Sequence, residues 1–489
     1  MSCMVQVLLS CLLVSLGLPL WAQPERELAY ARAVEEARLA LTVRDLVRFG
    51  HRLGGSPSNE QSAAYLLGAF RAMGLEAELR LDPPRWTWWF DTFAVRLLAP
   101  QERALSHPWP APYSPSAGPL RAPVLLFRPD VRREHVQGRI VLIDGLDRRN
   151  AALYDTLARW GAVALLTDAP RWENAYSDWA FISSLPARPQ NPIPMVCLSR
   201  NDGAWIRERL ARGEPVELFL MLRSHIAWRR PWTVLASLPG QRPDYYLVCA
   251  HGDGDAGGPG ADDNASGVAG VLEIARVLSE QVRAGTLPQP LYGMRFAVWG
   301  SEYFSTEAFV RAEAEAGRLG RIRGVFNFDQ IGTGAEKQAL YFESNDVPYN
   351  ETLLRTLESI GRAYAGRAGF WPQAYTNPSQ GGTDSYVFLH DYLRDRLRIP
   401  GADTIRIPAT TVYTAAWNRL ARLPQTPGWG PPDTVEIDYS RYYHSSLDVP
   451  ELTTDREPFR MAWAARAVGI ALLRLAWGAQ QEAPRYRRR

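Results

Sequence analysis

Three short apolar runs limit what this chain can become. They are Tyr245 to Cys249, Met294 to Trp299 and Gly324 to Phe328, and each stops within a few residues of an ionisable side chain: His251, Glu302 and Asp329. Unbroken apolar runs of this length read as strands buried on both faces, as in a parallel sheet covered by helices. After the first run come Gly260-Ala261-Asp262-Asp263-Asn264-Ala265-Ser266-Gly267 and an amphipathic stretch, with Val268, Val271, Leu272, Ala275 and Leu278 at helical spacing. The chain is therefore expected to be α/β. Its polar loop lies between a strand's C-terminal end and a helix N-terminus, where open α/β sheets place their sites.

That loop region holds His251, Asp253, Asp262 and Asp263, and Tyr442-Tyr443-His444-Ser445-Ser446-Leu447-Asp448 adds a second histidine beside a carboxylate. Histidine with carboxylates is a donor set suited to zinc. On its own the loop also reads as a Gly/Asp turn with an incidental histidine. The strand-end Glu302 and Asp329 and the distant His444 argue against that.

In this order, the residues resemble the M28 family of zinc aminopeptidases and carboxypeptidases, over nearly the whole chain after its first residues. The resemblance implies a central mixed β-sheet flanked by helices and two Zn2+ ions. Asp263 would bridge the ions, with His251 and Asp329 completing one and Glu302 and His444 the other. Asp253 would orient the His251 ring, Asp448 would act similarly near His444, and Asp384 would support the pocket wall. The substrate implied is a peptide, cleaved near a terminus.

One position departs from the pattern. The family carries two glutamates at the second strand end: the first takes up the proton of the attacking water and the second binds metal. Here the pair is Ser301-Glu302, and serine cannot accept a proton near neutral pH. Asp253, Asp255 and Glu307 are the nearby carboxylates that would have to substitute. In the other register Glu302 is the base and one metal loses a ligand. The function expected is a metallopeptidase of the M28 type. The alternatives are an impaired homologue that binds rather than cleaves, or another zinc-dependent amide hydrolase or acyltransferase.

Composition decides a few further points. With 46% hydrophobic and 22% charged residues the 489-residue chain can bury a large core, and a net charge of +3 gives no reason to expect nucleic acid. Val5 to Leu20, followed by Ala22 and polar Gln23, reads as a signal peptide over residues 1–22, hence a secreted or periplasmic protein. No other stretch is expected to span a membrane, since Met461 to Trp477 carries Arg466 and Arg474. Cys197 and Cys249 are expected to be buried, unpaired thiols.

Residues 23–90 and 230–480 are expected to form the peptidase domain, with a flexible tail at 481–489. Residues 91–229 are expected to form an inserted β-rich domain. That region resembles the protease-associated (PA) domain at Val136-Gln137-Gly138-Arg139-Ile140-Val141-Leu142 and at its helix–Gly161-Ala162–strand unit. Trp86, Trp88, Trp89 and Phe90 are expected to pack at the junction. Residues 385–443, rich in Arg, Pro and Trp, read as a lid or a surface insertion.

Overall fold

The computed structural model describes residues 23–144, 151–168, 192–254, 258–334, 338–344, 348–378, 383–414, 442, 444 and 446–478. The expected signal peptide, the tail, Asp255 and residues 415–441 lie outside these residues.

Two eight-stranded sheets organise the described chain. In the first, the strand order is Glu76–Leu81, Trp232–Leu238, Tyr292–Trp299, Arg242–His251, Ile322–Phe328, Ala409–Tyr413, Ala339–Ser344, Gln373–Pro378. Its four middle strands, from Tyr292–Trp299 to Ala409–Tyr413, run parallel, and antiparallel pairings flank them. The three apolar runs of the sequence are three of those middle strands. Their side chains alternate into two cores. Val248, Ala250 and Phe296 meet the Gly267–Arg283 and Phe459–Ala476 helices, while Leu247, Cys249 and Trp299 pack with Phe309, Val387 and Leu393. Burial on both faces explains why these strands carry no polar alternation.

The second sheet lies between Arg85 and Arg229. Long antiparallel strands Arg85–Ala99 and Glu217–Arg229 lead into a parallel set, Ala117–Leu126, Ile140–Asp144, Ala164–Asp168 and Met195–Leu198. The aromatic cluster belongs to the first of these strands, with Trp88 buried and Trp86 exposed, so residue 91 falls inside a strand.

Residues 385–443 are not one insertion. Ala409–Tyr413, every residue buried, is a strand of the first sheet between Ile322–Phe328 and Ala339–Ser344. Five apolar and β-branched residues suffice for a central strand once both neighbours pair with it. The described part before it packs through Val387, Phe388 and Leu393 under that sheet. Cys197 and Cys249 are buried free thiols. Among the described residues no helix is long and apolar enough to cross a membrane.

Candidate metal centre

Parallel pairing brings the strand ends together. His251 lies opposite Trp299, two residues before Ser301, and Cys249 lies opposite Asn327, two residues before Asp329. The Gly260–Gly267 loop crosses above them, fixed by its own polar side chains. Asn264 donates to the Phe328 carbonyl and accepts from Gly267 N, while Ser266 Oγ accepts from Ile331 N. Gly267 has to be glycine, because a Cβ there would stand 2.3 Å from Asn264 Oδ1 and 2.8 Å from the Phe328 carbonyl. Asp262 Oδ1 accepts from Gly332 N at 2.7 Å, so this first aspartate ties the loop to the next turn.

Asp263 occupies the middle. His251 Nε2 stands 3.4 Å from its Oδ1 and His444 Nε2 stands 3.2 Å from its Oδ2. His251 Nε2 is also 3.7 Å from Asp329 Oδ1. His251 Nδ1 faces two acceptors, the Asp253 carbonyl at 3.1 Å and Asp253 Oδ1 at 3.3 Å. The proton therefore belongs on Nδ1, which leaves Nε2 to present a lone pair to a cation. Glu302 N donates to Asp253, and the Glu302 carboxylate lies close enough to raise the His251 pKa.

This arrangement fits a metal. His251, Asp263 and Asp329, all buried, offer ligand atoms within 4.8 Å of one another. Asp263 Oδ1 and Asp329 Oδ1 are buried with no aligned hydrogen-bond donor. Buried carboxylate oxygens without donors are costly unless a cation meets them. Burial opposes charge on Asp263, but the two imidazoles outweigh it and hold that carboxyl below its usual range. Burial pushes Asp329 up. Burial also works against charge on His251, yet Asp253, Asp263 and Asp329 together raise its pKa well above the usual value.

The supporting carboxylates act differently from one another. Asp448 was expected to steer His444. Instead its two oxygens accept from Asp262 N at 2.7 Å and Asp263 N at 2.9 Å, so it holds the backbone of the loop. Two adjacent amides aimed outward form a natural carboxylate seat. Asp384 Oδ1 accepts from Tyr303 N at 2.8 Å and from Thr306 Oγ1, and burial pushes its pKa up to about 7. It buttresses the turn after Glu302.

Ser301 is buried and its hydroxyl is engaged. Arg85 Nη1 donates to Ser301 Oγ at 2.6 Å, and Ser301 N donates to Ser305 Oγ. Glu307 is engaged elsewhere, accepting from Tyr392 OH. Asp253 is occupied by His251 and Glu302 N. His225 pairs with Asp91 and Arg394 with Asp395, both on the exposed surface.

Two contributors escaped the sequence reading. Arg52 is fully buried and donates to the carbonyls of Gly50, Gly252, Pro259 and Gly260, bridging the His251 and Asp263 loops. Burial lowers its pKa to about 10, with Asp253, Asp448 and Asp263 opposing. The other is Arg85, which arrives from the second sheet. Neither carries a local sequence signal, since arginine is common throughout this chain.

Comparison with known proteins adds to this geometry. Residues 233–468 match the profile of Peptidase family M28. A probable lipoprotein aminopeptidase, LpqL, of Mycobacterium tuberculosis is 25% identical over 304 residues, covering 58% of this chain and 55% of that protein. Leupeptin-inactivating enzyme 1 of Streptomyces exfoliatus is 29% identical over 246 residues, covering 49% of this chain and 48% of the enzyme. The chain thus spans about half the length of the curated relatives it matches. The structure of BSAP, a zinc aminopeptidase from Bacillus subtilis, aligns with TM-score 0.59 at 21% identity, over 92% of this chain and 97% of that one. An M28 peptidase precursor from Shewanella amazonensis aligns with TM-score 0.60 at 16% identity, over 94% and 98%. These structures share the fold: a mixed sheet with helices on its faces.

Proposed function

We propose, on the premise that residues 233–468 belong to peptidase family M28, that this chain is a zinc-dependent peptidase that removes residues from a peptide terminus. The observation that carries this reading is the pair of buried oxygens, on Asp263 and Asp329, that face histidine nitrogens without a donor. A two-ion centre suits the residues: Asp263 shared, His251 and Asp329 on one side, Glu302 and His444 on the other. Zinc held there would supply electrostatic polarisation of the scissile carbonyl and of a water.

The chain's own residues do the rest. Asp253 fixes the His251 ring through Nδ1. Arg52 and Asp448 hold the two ligand loops in register, one through carbonyls and the other through amides. Ser301 stands where the family places its proton acceptor, and its hydroxyl accepts from Arg85 instead. Loss of a positioned general base lowers a rate by roughly 10²–10⁴-fold. That same contact favours a second reading, in which the site binds peptides and cleaves them slowly or not at all. The inserted sheet is read as a PA-type module. Residues 1–22 are read as an export signal, in keeping with a relative named as a lipoprotein.

The test is release of terminal residues from a mixed peptide pool by the zinc-loaded chain, with and without chelator, beside a Ser301→Glu variant. Chelator-sensitive release by the natural chain supports the peptidase. Release by Ser301→Glu alone supports the binding reading. No release by either, with zinc bound, removes the peptidase reading.

A further inference from the structure

We infer that Arg85, with Tyr113 and Ser301, forms an anion-recognition site beside the metal cluster, and that it takes a carboxylate of the bound peptide. The inference rests on the peptidase reading only for the peptide nature of the ligand.

Arg85 is half-buried at the start of the second sheet's first strand. Its partners among the described residues are neutral: the Ser301 hydroxyl at 2.6 Å, the Tyr113 phenol, and the Phe304 ring at 4.8 Å from Cζ. Other partly buried arginines here pair with carboxylates, as Arg207 does with Asp168, Arg276 with Glu273 and Arg474 with Glu27. Arg85 has no carboxylate partner among the described residues.

Its place is set from three sides. Ser301 is held by Ser305, and Gly54 packs so closely that a Cβ there would stand 2.8 Å from Ser301 Cβ. Tyr113 is buried with a φ of 61°, rare for tyrosine, and its hydroxyl donates to the Trp86 carbonyl. The guanidinium therefore cannot simply swing into water without breaking its contact with Ser301.

The chemistry follows from the guanidinium. It is planar, permanently charged, and able to give two parallel N–H bonds to one carboxylate. The serine hydroxyl beside it, which accepts from Arg85, keeps its own proton to donate to the same oxygens, while the Tyr113 phenol, tied to the Trp86 carbonyl, holds the guanidinium in place. Where a family glutamate would neutralise this arginine, serine leaves the charge for a ligand. The carboxylate could be the peptide's own C-terminus, one residue beyond the cleaved bond, or an acidic side chain there.

Calorimetric binding distinguishes these. The zinc-loaded full chain would be titrated with a dipeptide and its C-terminal amide, then with amide-capped dipeptides carrying Glu or Gln in second place. Where a peptide is cleaved, KM and kcat/KM ratios replace the titration. The acid of at least one pair is expected to bind about tenfold tighter than its neutral twin, the size of a partly screened charge-assisted contact. In Arg85→Gln that ratio falls to about one, and Arg85→Lys retains part of it. Loss of a merely structural arginine would weaken both members alike. Ser301→Glu places a carboxylate against Arg85 and should abolish the preference as well, which covers the case of an Arg85 variant that fails to fold. The responding pair identifies the source of the carboxylate. A ratio of one in both pairs for the natural chain, or an unchanged ratio in Arg85→Gln, overturns the inference. Acid-selective binding without any cleavage would sink the peptidase reading and leave this one standing.

Discussion

The two sheets place buried carboxylates at equivalent positions and treat them in opposite ways. In the second sheet, Asp168 ends a parallel strand and receives both Arg207 Nη1 and Nη2 at 2.6 Å. Nearby Asp202 accepts from Ser106 N, Ser199 Oγ and Arg103. In the first sheet, Asp329 follows a parallel strand and Asp263 lies above it, yet one oxygen of each has no donor. The fold supplies arginines freely, yet among the described residues none forms an ion pair with Asp263 or Asp329, whose partners are histidines. A buried carboxylate whose oxygens are all met is holding the fold together. One whose unmet oxygen lies against imidazole nitrogens, as in Asp263 and Asp329, has room for a cation.

The largest effect should come from Asp263→Asn. Natural protein with zinc at 100 times its dissociation constant should gain about 2.7 kcal/mol of stability. The variant should gain far less and release no terminal residues, read by thermal denaturation with and without zinc and by metal content. An equal zinc-induced rise in both proteins would erase the contrast between the sheets.

Arg52→Met comes next. It strips four carbonyls of their donor and leaves Asp253, Asp263 and Asp448 without their buried cation. Breaking such an arrangement costs about 3–5 kcal/mol, measurable by denaturant unfolding of the metal-free chain. Zinc affinity should fall with it.

The sharpest form of the comparison is a pair of identical substitutions. Asp168→Asn should destabilise by about 3 kcal/mol, because it breaks a buried two-pronged pair. Asp329→Asn in the metal-free chain should be neutral or stabilising by about 1 kcal/mol, since it removes a carboxylate that burial and Asp263 both disfavour. Urea midpoints for the two variants should move in opposite directions. If both fall alike, Asp329 is structural.

The smallest effect is a pH dependence at the seam between the sheets. His51 is buried against Trp88 and Phe90 and accepts from Leu53 N, and burial lowers its pKa to about 3. The unfolded chain takes up this proton near pH 6.5 and the folded chain does not. Stability is therefore fully present above 6.5 and lost as pH falls toward the folded value. Between pH 7 and 5.5 the loss should be about 1 kcal/mol, and His51→Gln should remove that part of the slope.

Most of the first sheet's centre could be read from the sequence. Its strands are apolar throughout and end in ionisable residues, and the loop motif names its own contacts. The Gly252, Pro259 and Gly260 carbonyls that accept from Arg52 and the hydroxyl that accepts from Arg85 could not be read, because each partnership joins residues some two hundred positions apart. Ala409–Tyr413 was hidden by its Arg- and Pro-rich surroundings, and Ala339–Ser344 and Gln373–Pro378 by their brevity and mixed polarity. The long strand from Arg85 looked like a boundary cluster because its aromatics are consecutive, which masks the alternation of faces. Asp448 was assigned to a side chain when its partners are backbone amides, a choice that sequence spacing cannot make.

The seat that Asp448 provides has a consequence for the order of biosynthesis. Asp262 and Asp263 are anchored by a residue 185 or more positions downstream. As the chain emerges from the ribosome, His251, Asp263, Glu302 and Asp329 can all be displayed on a folded sheet while their loop is still unanchored. His444 and Asp448 arrive together, so the second histidine facing Asp263 and the clasp that steadies that aspartate are delivered by one segment. A growing chain thus carries no finished His/Asp cluster until that segment docks.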